Sequence, residues 1–148
     1  MKPDCSEEDG LFTLTVTKPS GELSRPDAAS YCGTGQRAPH VIVFSSDKMG
    51  EGDEELGRFL VQALINIIKE TEPLPSHLIF YNSGIFLALD GSPLVPSLRE
   101  LRELGVEILV CGTCLQHFGR KDDLRVGTIS NMYAILETMT AAGHVVKP

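Results

Sequence analysis

Three short apolar runs, Val41-Ile-Val-Phe44, Leu78-Ile-Phe-Tyr81 and Val106-Glu-Ile-Leu-Val110, constrain this chain more than anything else in it. A strand with few polar positions is buried on both faces, and a parallel sheet covered by helices on each side is the arrangement that buries it. His144-Val-Val146 repeats the pattern more weakly. The segments between the runs carry helical periodicity. Leu56, Phe59, Leu60, Ala63, Leu64, Ile67 and Ile68 mark one face of the strongest, with Asp53, Glu54 and Glu55 in its first turn, where acids suit the helix dipole. Ser97 to Leu104 predicts a shorter helix stopped by Gly105, and Ile129, Met132, Tyr133, Leu136 and Met139 predict a third that ends at Gly143. Strands alternating with helices of this length imply right-handed crossovers. The expected fold is therefore α/β: three αβα layers around an open, mainly parallel sheet of flavodoxin-like topology.

The apolar runs begin only near residue 40. Ahead of them, Lys18 to Arg37 has the Pro, Gly and Ser content of a flexible linker, and Leu11-Phe-Thr-Leu-Thr-Val-Thr17 alternates like a single strand. A lone strand must pair with an edge of the main sheet or with another chain, or belong to a domain that is otherwise missing. The expected division is 1–39, strand plus linker, and 40–148, the α/β domain. With 148 residues, 42% apolar and 22% charged, the composition is that of an ordinary globular protein. No window approaches the ~20 consecutive apolar residues of a membrane span, and the start lacks the apolar core of a signal peptide, so a cytoplasmic protein without membrane contact is expected. A formal charge of -7, with its 13 basic residues scattered, argues against nucleic acid. The cysteines are expected to be reduced thiols, because a chain of this size does not need staples.

In open α/β sheets, ligands bind beyond the carboxyl ends of the strands. Three small, polar or glycine-rich segments arrive there: Ser45 to Gly52, Asn82 to Gly84, and Cys111-Gly-Thr-Cys114. Substrate contacts are expected from Ser45, Ser46, Asn82, Ser83, Gly84, Gly112 and Thr113. Gly50 and Gly52 complete no nucleotide-binding motif, and the acids from Glu51 to Glu55 repel an anion. The Cys-x-x-Cys pair admits three readings: half of a structural zinc site, two inert buried thiols, or thiol chemistry. Zinc lacks a second close pair, since Cys5 and Cys32 stand far apart, and no metal or other cofactor is expected. Cys111 stands at a strand-to-helix junction, where the free N–H groups that open a helix favour a thiolate. His117, three residues beyond Cys114, is either a base for that thiolate or a solvated side chain. Arg120, Lys121 and Arg125, offset by Asp122 and Asp123, read as a solvated loop. Ile85-Phe-Leu-Ala-Leu89 reads as core, or as a subunit interface or lid beside the crevice.

Four segments taken together resemble the DsrE-like domain of YedF-type proteins over about residues 40 to 148. They are Val41-Ile-Val-Phe-Ser-Ser-Asp-Lys-Met-Gly-Glu-Gly-Asp-Glu-Glu-Leu-Gly57, Tyr81-Asn-Ser-Gly84, Leu104-Gly-Val-Glu-Ile-Leu-Val-Cys-Gly-Thr-Cys-Leu115 and Val126-Gly-Thr-Ile-Ser-Asn-Met-Tyr133. Those are sulfurtransferase-like proteins linked to selenium metabolism. They carry an N-terminal TusA/SirA-like domain, and Asp9 to Lys18 looks like its last strand. The resemblance implies that Cys111 is the active cysteine of a sulfur or selenium carrier, held as a persulfide, with Cys114 able to resolve it. It also implies a TusA-like donor or acceptor protein, or a small persulfide, as partner, and a homo-oligomer, trimer or hexamer. The alternatives are a thiol–disulfide oxidoreductase cycling Cys111 and Cys114, and a non-catalytic assembly module built on Ile85 to Leu89 and Leu11 to Thr17.

Overall fold

The computed structural model describes residues 4–8, 11–15 and 39–148. The chain divides into two units, Met1–Gly35 and Gln36–Pro148. In the first, β1 (Asp4–Glu8) and β2 (Leu11–Thr15) pair antiparallel, with Asp4 opposite Thr15 and Glu8 opposite Leu11. The strand expected to stand alone thus has a partner just ahead of it, in a two-stranded sheet of its own. That partner, Asp4-Cys-Ser-Glu-Glu8, is acidic and offered no apolar alternation to read. The expected linker from Lys18 to Arg37, and Cys32 within it, lie outside the described residues.

The second unit runs β3 (His40–Phe44), α1 (Glu54–Ile67), β4 (His77–Phe80), α2 (Val95–Glu103), β5 (Glu107–Cys111), α3 (Gly112–His117), β6 (Thr128–Ser130), α4 (Met132–Ala141) and β7 (His144–Val146). Its five strands are all parallel, in the order β6-β5-β4-β3-β7. This is the expected α/β class, with an open parallel sheet between helical layers. The chain steps outward one strand at a time from β3 to β6, and returns through α4 to the far edge beside β3. Phe44, Phe80 and Val110 occupy one row of the sheet, so β3, β4 and β5 reach their carboxyl ends together. Strand β6 escaped the sequence reading because three residues, two of them hydroxylated, make no apolar run.

Alternation divides the strand residues between two faces. Ile42, Phe44, Leu78, Phe80, Ile108 and Val110 pack under α1, α2 and Leu115 of α3; Phe44 and Phe80 stack with ring centroids 5.0 Å apart. Val41, Val43, Ile79 and Cys111 face the other way, against Ile135 of α4. Leu98 and Leu101 anchor α2, and Gly105, at a φ of +94°, ends that helix as expected. The run Ile85 to Leu89 forms part of a 3-10 turn (Asn82–Ala88) whose Ile85, Leu87 and Ala88 are buried, as is Leu89. It is core, which removes it as an interface or lid and takes away one of the two surfaces on which an assembly module was to rest.

Two helices turn a different face inward than their strongest apolar stripes implied. In α1 the buried residues are Gly57, Val61 and Ile65, with Leu64 packed beside them and Ile68 just beyond, while Leu56, Phe59, Leu60, Ala63 and Ile67 are exposed. In α4 only Ile135 is buried, and Met132, Tyr133 and Leu136 face outward. Both helices are apolar over more than half their circumference, so periodicity alone cannot choose the inner side. The start of α1 is fixed by Asp53, whose carboxylate accepts the Leu56 N–H at 2.7 Å. Replacing it, Asp53→Ala, is expected to cost about 1 kcal/mol, read as a melting temperature lower by roughly 4 to 8 °C.

Candidate functional site

Strand β5 alternates Val106, Ile108 and Val110 toward the larger core, and so Leu109 and Cys111 toward α4. The Cys111 side chain is 0% exposed, enclosed with Val41, Val43, Ile79 and Ile135. It occupies the N-cap position of α3 but makes no capping hydrogen bond, and α3 is six residues long, too short to build much of a dipole. Gly112 follows because β6 crosses close by: a Cβ there would stand 2.9 Å from Ile129 Cγ2. The expectation that Cys111 meets a donor first requires a sulfur that reaches the surface, and this sulfur is sealed in hydrocarbon. The expected ionising field at Cys111 is likewise that of little more than one helical turn.

Cys114 lies one turn further on, at the carboxyl edge, packed partly against both cores and partly open to solvent. Its sulfur accepts the backbone N–H of Asn82 at 3.1 Å. Asn82 has φ +52°, the left-handed region that asparagine enters more readily than most residues, and this conformation points its amide across to α3. Burial pushes the Cys114 thiol above its ordinary pKa; the Asn82 N–H pulls it down, and the neighbouring Cys111 thiol raises it again. The two thiols are neighbours one helical turn apart, the deeper one being the first in sequence.

The other expected contacts separate into those that build the edge and those that stand apart. Ser83 Oγ accepts the Asp47 N–H at 3.3 Å, and Ser46 Oγ accepts the Lys48 N–H at 3.2 Å, so both hydroxyls brace the loops. Arg58 reaches Asp47 and Glu54, and Lys48 reaches Glu54, which pins the loop after β3 to α1. Gly84 is buried directly against the Phe44 carbonyl. Ser45 is half-buried, while Thr113 and His117 are exposed. The His117 ring lies edge-on to Phe118, which tilts against Phe86, and Arg120 stands over the Phe86 ring. No hydrogen bond among the described residues joins His117 to either sulfur. Tyr81, missed in the sequence because it closes an apolar run, packs on the cluster that encloses Cys111. Five cavities of about 270 to 530 Å³ are lined by neither cysteine.

Residues 40–148, the whole of the five-stranded sheet with its helices, match the DsrE/DsrF-like family. The chain belongs to that family. DsrE/DsrF-like proteins are in general related to sulfur relay. Among solved structures, the protein of unknown function MTH1491 from Methanobacterium thermoautotrophicum is 22% identical, covering 75% of this chain and 99% of its own, with a TM-score of 0.56. The ychN protein from E. coli is 16% identical, covering 74% of this chain and 99% of its own, also with a TM-score of 0.56. At such identities the likeness to both is one of fold. No curated protein matches the chain. Among the described residues of this DsrE/DsrF-like protein, no helix is long and apolar enough to cross a membrane.

Proposed function

We propose that this chain carries sulfur, or selenium, on the Cys111-Gly-Thr-Cys114 pair, with Cys114 as the thiol that meets the donor. The observation that carries this reading is the half-open Cys114 sulfur at the carboxyl edge, held under the Asn82 N–H, beside a second thiol that solvent does not reach. The Cys114 thiolate attacks the terminal sulfur of a donor persulfide, the donor thiolate leaves, and Cys114 holds the atom as a persulfide. The Asn82 amide then faces a charged sulfur group, which strengthens the hydrogen bond. An acceptor thiolate attacks the terminal sulfur and releases Cys114 as thiolate, so that no net oxidation occurs. Because Cys114 is partly open to solvent at the sheet edge, an exposed cysteine persulfide on a TusA-like protein suits it better than a ligand needing an enclosed pocket. The homo-oligomer implied by the resemblance belongs to the same reading.

A thiol–disulfide oxidoreductase is favoured by one observation, that Cys114 packs on the same cluster that encloses Cys111, one helical turn away. In a loaded chain without acceptor, the same proximity lets Cys111 attack the inner sulfur of the Cys114 persulfide. Hydrosulfide leaves, a Cys111–Cys114 disulfide forms, and an external dithiol must reduce it before another cycle. Intact mass spectrometry after incubation with a persulfide donor separates the readings. Cys111→Ser, which has no resolving thiol, is expected to gain and keep the mass of one sulfur atom, reversibly with dithiol; the wild type is expected to gain it and then pass to the disulfide, two mass units below the reduced chain; and Cys114→Ser is expected to gain none. No gain on Cys111→Ser, or loading that survives Cys114→Ser, refutes a carrier centred on Cys114.

A further inference from the structure

Ser76, His77 and Glu107 meet at the amino edge of the sheet, the end away from the two neighbouring thiols. Ser76 directly precedes β4, His77 opens β4, and Glu107 opens β5 opposite His77 in the parallel register. From Glu107 to Cys111 the strand runs four residues, about 13 Å. His77 Nδ1 stands 3.0 Å from Ser76 Oγ, and His77 Nε2 stands 3.3 Å from a Glu107 carboxylate oxygen. The serine is held by its backbone: its N–H donates to the His40 carbonyl and its carbonyl accepts the Glu107 N–H, each at 2.9 Å, so β3 and β5 both fix it. The hydroxyl proton has two acceptors in reach, the His40 carbonyl at 3.2 Å and the imidazole. A carboxylate beside Nε2 keeps the ring proton there, which leaves the lone pair of Nδ1 facing the hydroxyl. Hydroxyl, base and a carboxylate that orients the base, linked in that order, make a serine nucleophilic. Ser76 and His77 also line a cavity of about 270 Å³, together with Val41, Ala141, Ala142 and Glu137.

We propose that this cluster is a second reactive site, which hydrolyses esters of small, uncharged acyl groups with Ser76 as the nucleophile. The cavity is smaller than the ~300 to 1,000 Å³ that drug-sized ligands occupy, so the acyl group it admits has few carbons. Its valine and alanine walls suit an apolar acyl group, and Glu107 and Glu137 repel a carboxylate. The Ser76 oxygen attacks the ester carbonyl while its proton passes to His77 Nδ1. The alcohol leaves with that proton, and the acyl group stays on Ser76. Water, giving a proton to the same nitrogen, then displaces the acyl group as the carboxylic acid and restores the hydroxyl. Glu107 touches no reacting atom and is a positioning residue.

An alkyl fluorophosphonate tests this on the full chain, because its phosphorus bonds to an activated serine oxygen as fluoride leaves and the serine proton passes to His77. Intact mass and peptide mapping are expected to show one adduct per chain, on Ser76. Hydrolysis of p-nitrophenyl acetate is expected to fall about tenfold or more once Ser76 is blocked. His77→Gln is expected to slow labelling about a hundredfold or more. Glu107→Gln is expected to slow it roughly tenfold or more, with the reagent concentration for half-maximal rate and the melting transition both unchanged, since the Glu107 side chain is 71% exposed. The wild-type adduct needs no variant, so the proposal is tested even if a substitution disturbs the fold. No adduct on the folded wild type, an adduct on another residue, ester hydrolysis that labelling leaves unchanged, or equal labelling rates in the wild type and His77→Gln overturns the proposal.

Discussion

In the folded chain an alkylating reagent is expected to modify Cys114 and leave Cys111 untouched, at rates differing by roughly a hundredfold or more. Cys111 is closed off by Val41, Val43, Ile79 and Ile135, so its sulfur meets reagent only when part of the sheet and α4 open. Each 1.4 kcal/mol of opening cost is about a factor of ten in rate, and inner strands of a domain open near the global limit. Cys114 needs no opening, but its thiol is held above the ordinary pKa by burial and by Cys111. Its reaction should therefore be slow near neutral pH, climb about tenfold per pH unit, and level off at a higher pH than for a free cysteine side chain. The sign for stability follows. The folded state holds the proton more tightly than the unfolded one, so the contribution is intact below the ordinary thiol pKa and is lost as pH rises through the raised one. Peptide mapping of alkylated protein, native and then denatured, reads both sites. Equal labelling of the two cysteines in the native state would show that the closed face is not closed.

Substituting Gly84→Ala is expected to cost about 3 kcal/mol or more, lowering the melting temperature by roughly 10 to 20 °C. A Cβ at this position would stand 2.1 Å from the Phe44 carbonyl oxygen and 2.8 Å from its carbon, and both are backbone atoms of an inner strand. A flexible side chain can move aside, whereas β3 is held by β4 on one side and β7 on the other. The Phe44 carbonyl also accepts the Tyr81 N–H at 3.1 Å, so pushing the chain away at Gly84 strains the bond that ties the end of β4 to β3. Asn82 lies between these two points. Its amide would then be displaced from Cys114, and the alkylation rate and its pH midpoint should change along with the melting temperature. A Gly84→Ala chain that melts within a few degrees of the wild type would mean that the two loops are not in this contact.

Much of the site's location was open to a reader of the sequence, and much of its chemistry was not. The loops after β3, β4 and β5 meet at one edge because apolar runs of similar length, laid parallel, end together. Ser46, Asn82, Ser83 and Gly84 were among the residues picked out on that ground. Their work, though, is largely done by backbone: Asn82 matters for where a left-handed turn aims its N–H, and Gly84 for what lies against its missing Cβ. Nothing in residue type announces either. The burial of Cys111 was in fact countable. With Val106, Ile108 and Val110 on one face, period-two alternation places Cys111 on the other, and its position at the strand's end is what obscured this. The hairpin strand Asp4–Glu8 carried no apolar alternation, and the single apolar residue of β6, Ile129, fits the periodicity of the helix that follows, so the sequence assigns it there although it lies in the strand.

By itself the sequence determined the class of fold, since strands apolar on both faces and separated by helices have few ways to be buried other than inside a parallel sheet. It also determined that two thiols stand where that sheet gives way to a helix. Only the tertiary structure decided which thiol the solvent reaches and which side of α1 the sheet takes. Periodicity describes one element at a time, and a helix apolar most of the way round, or a cysteine at the last position of a strand, acquires an inside and an outside only from the elements packed against it.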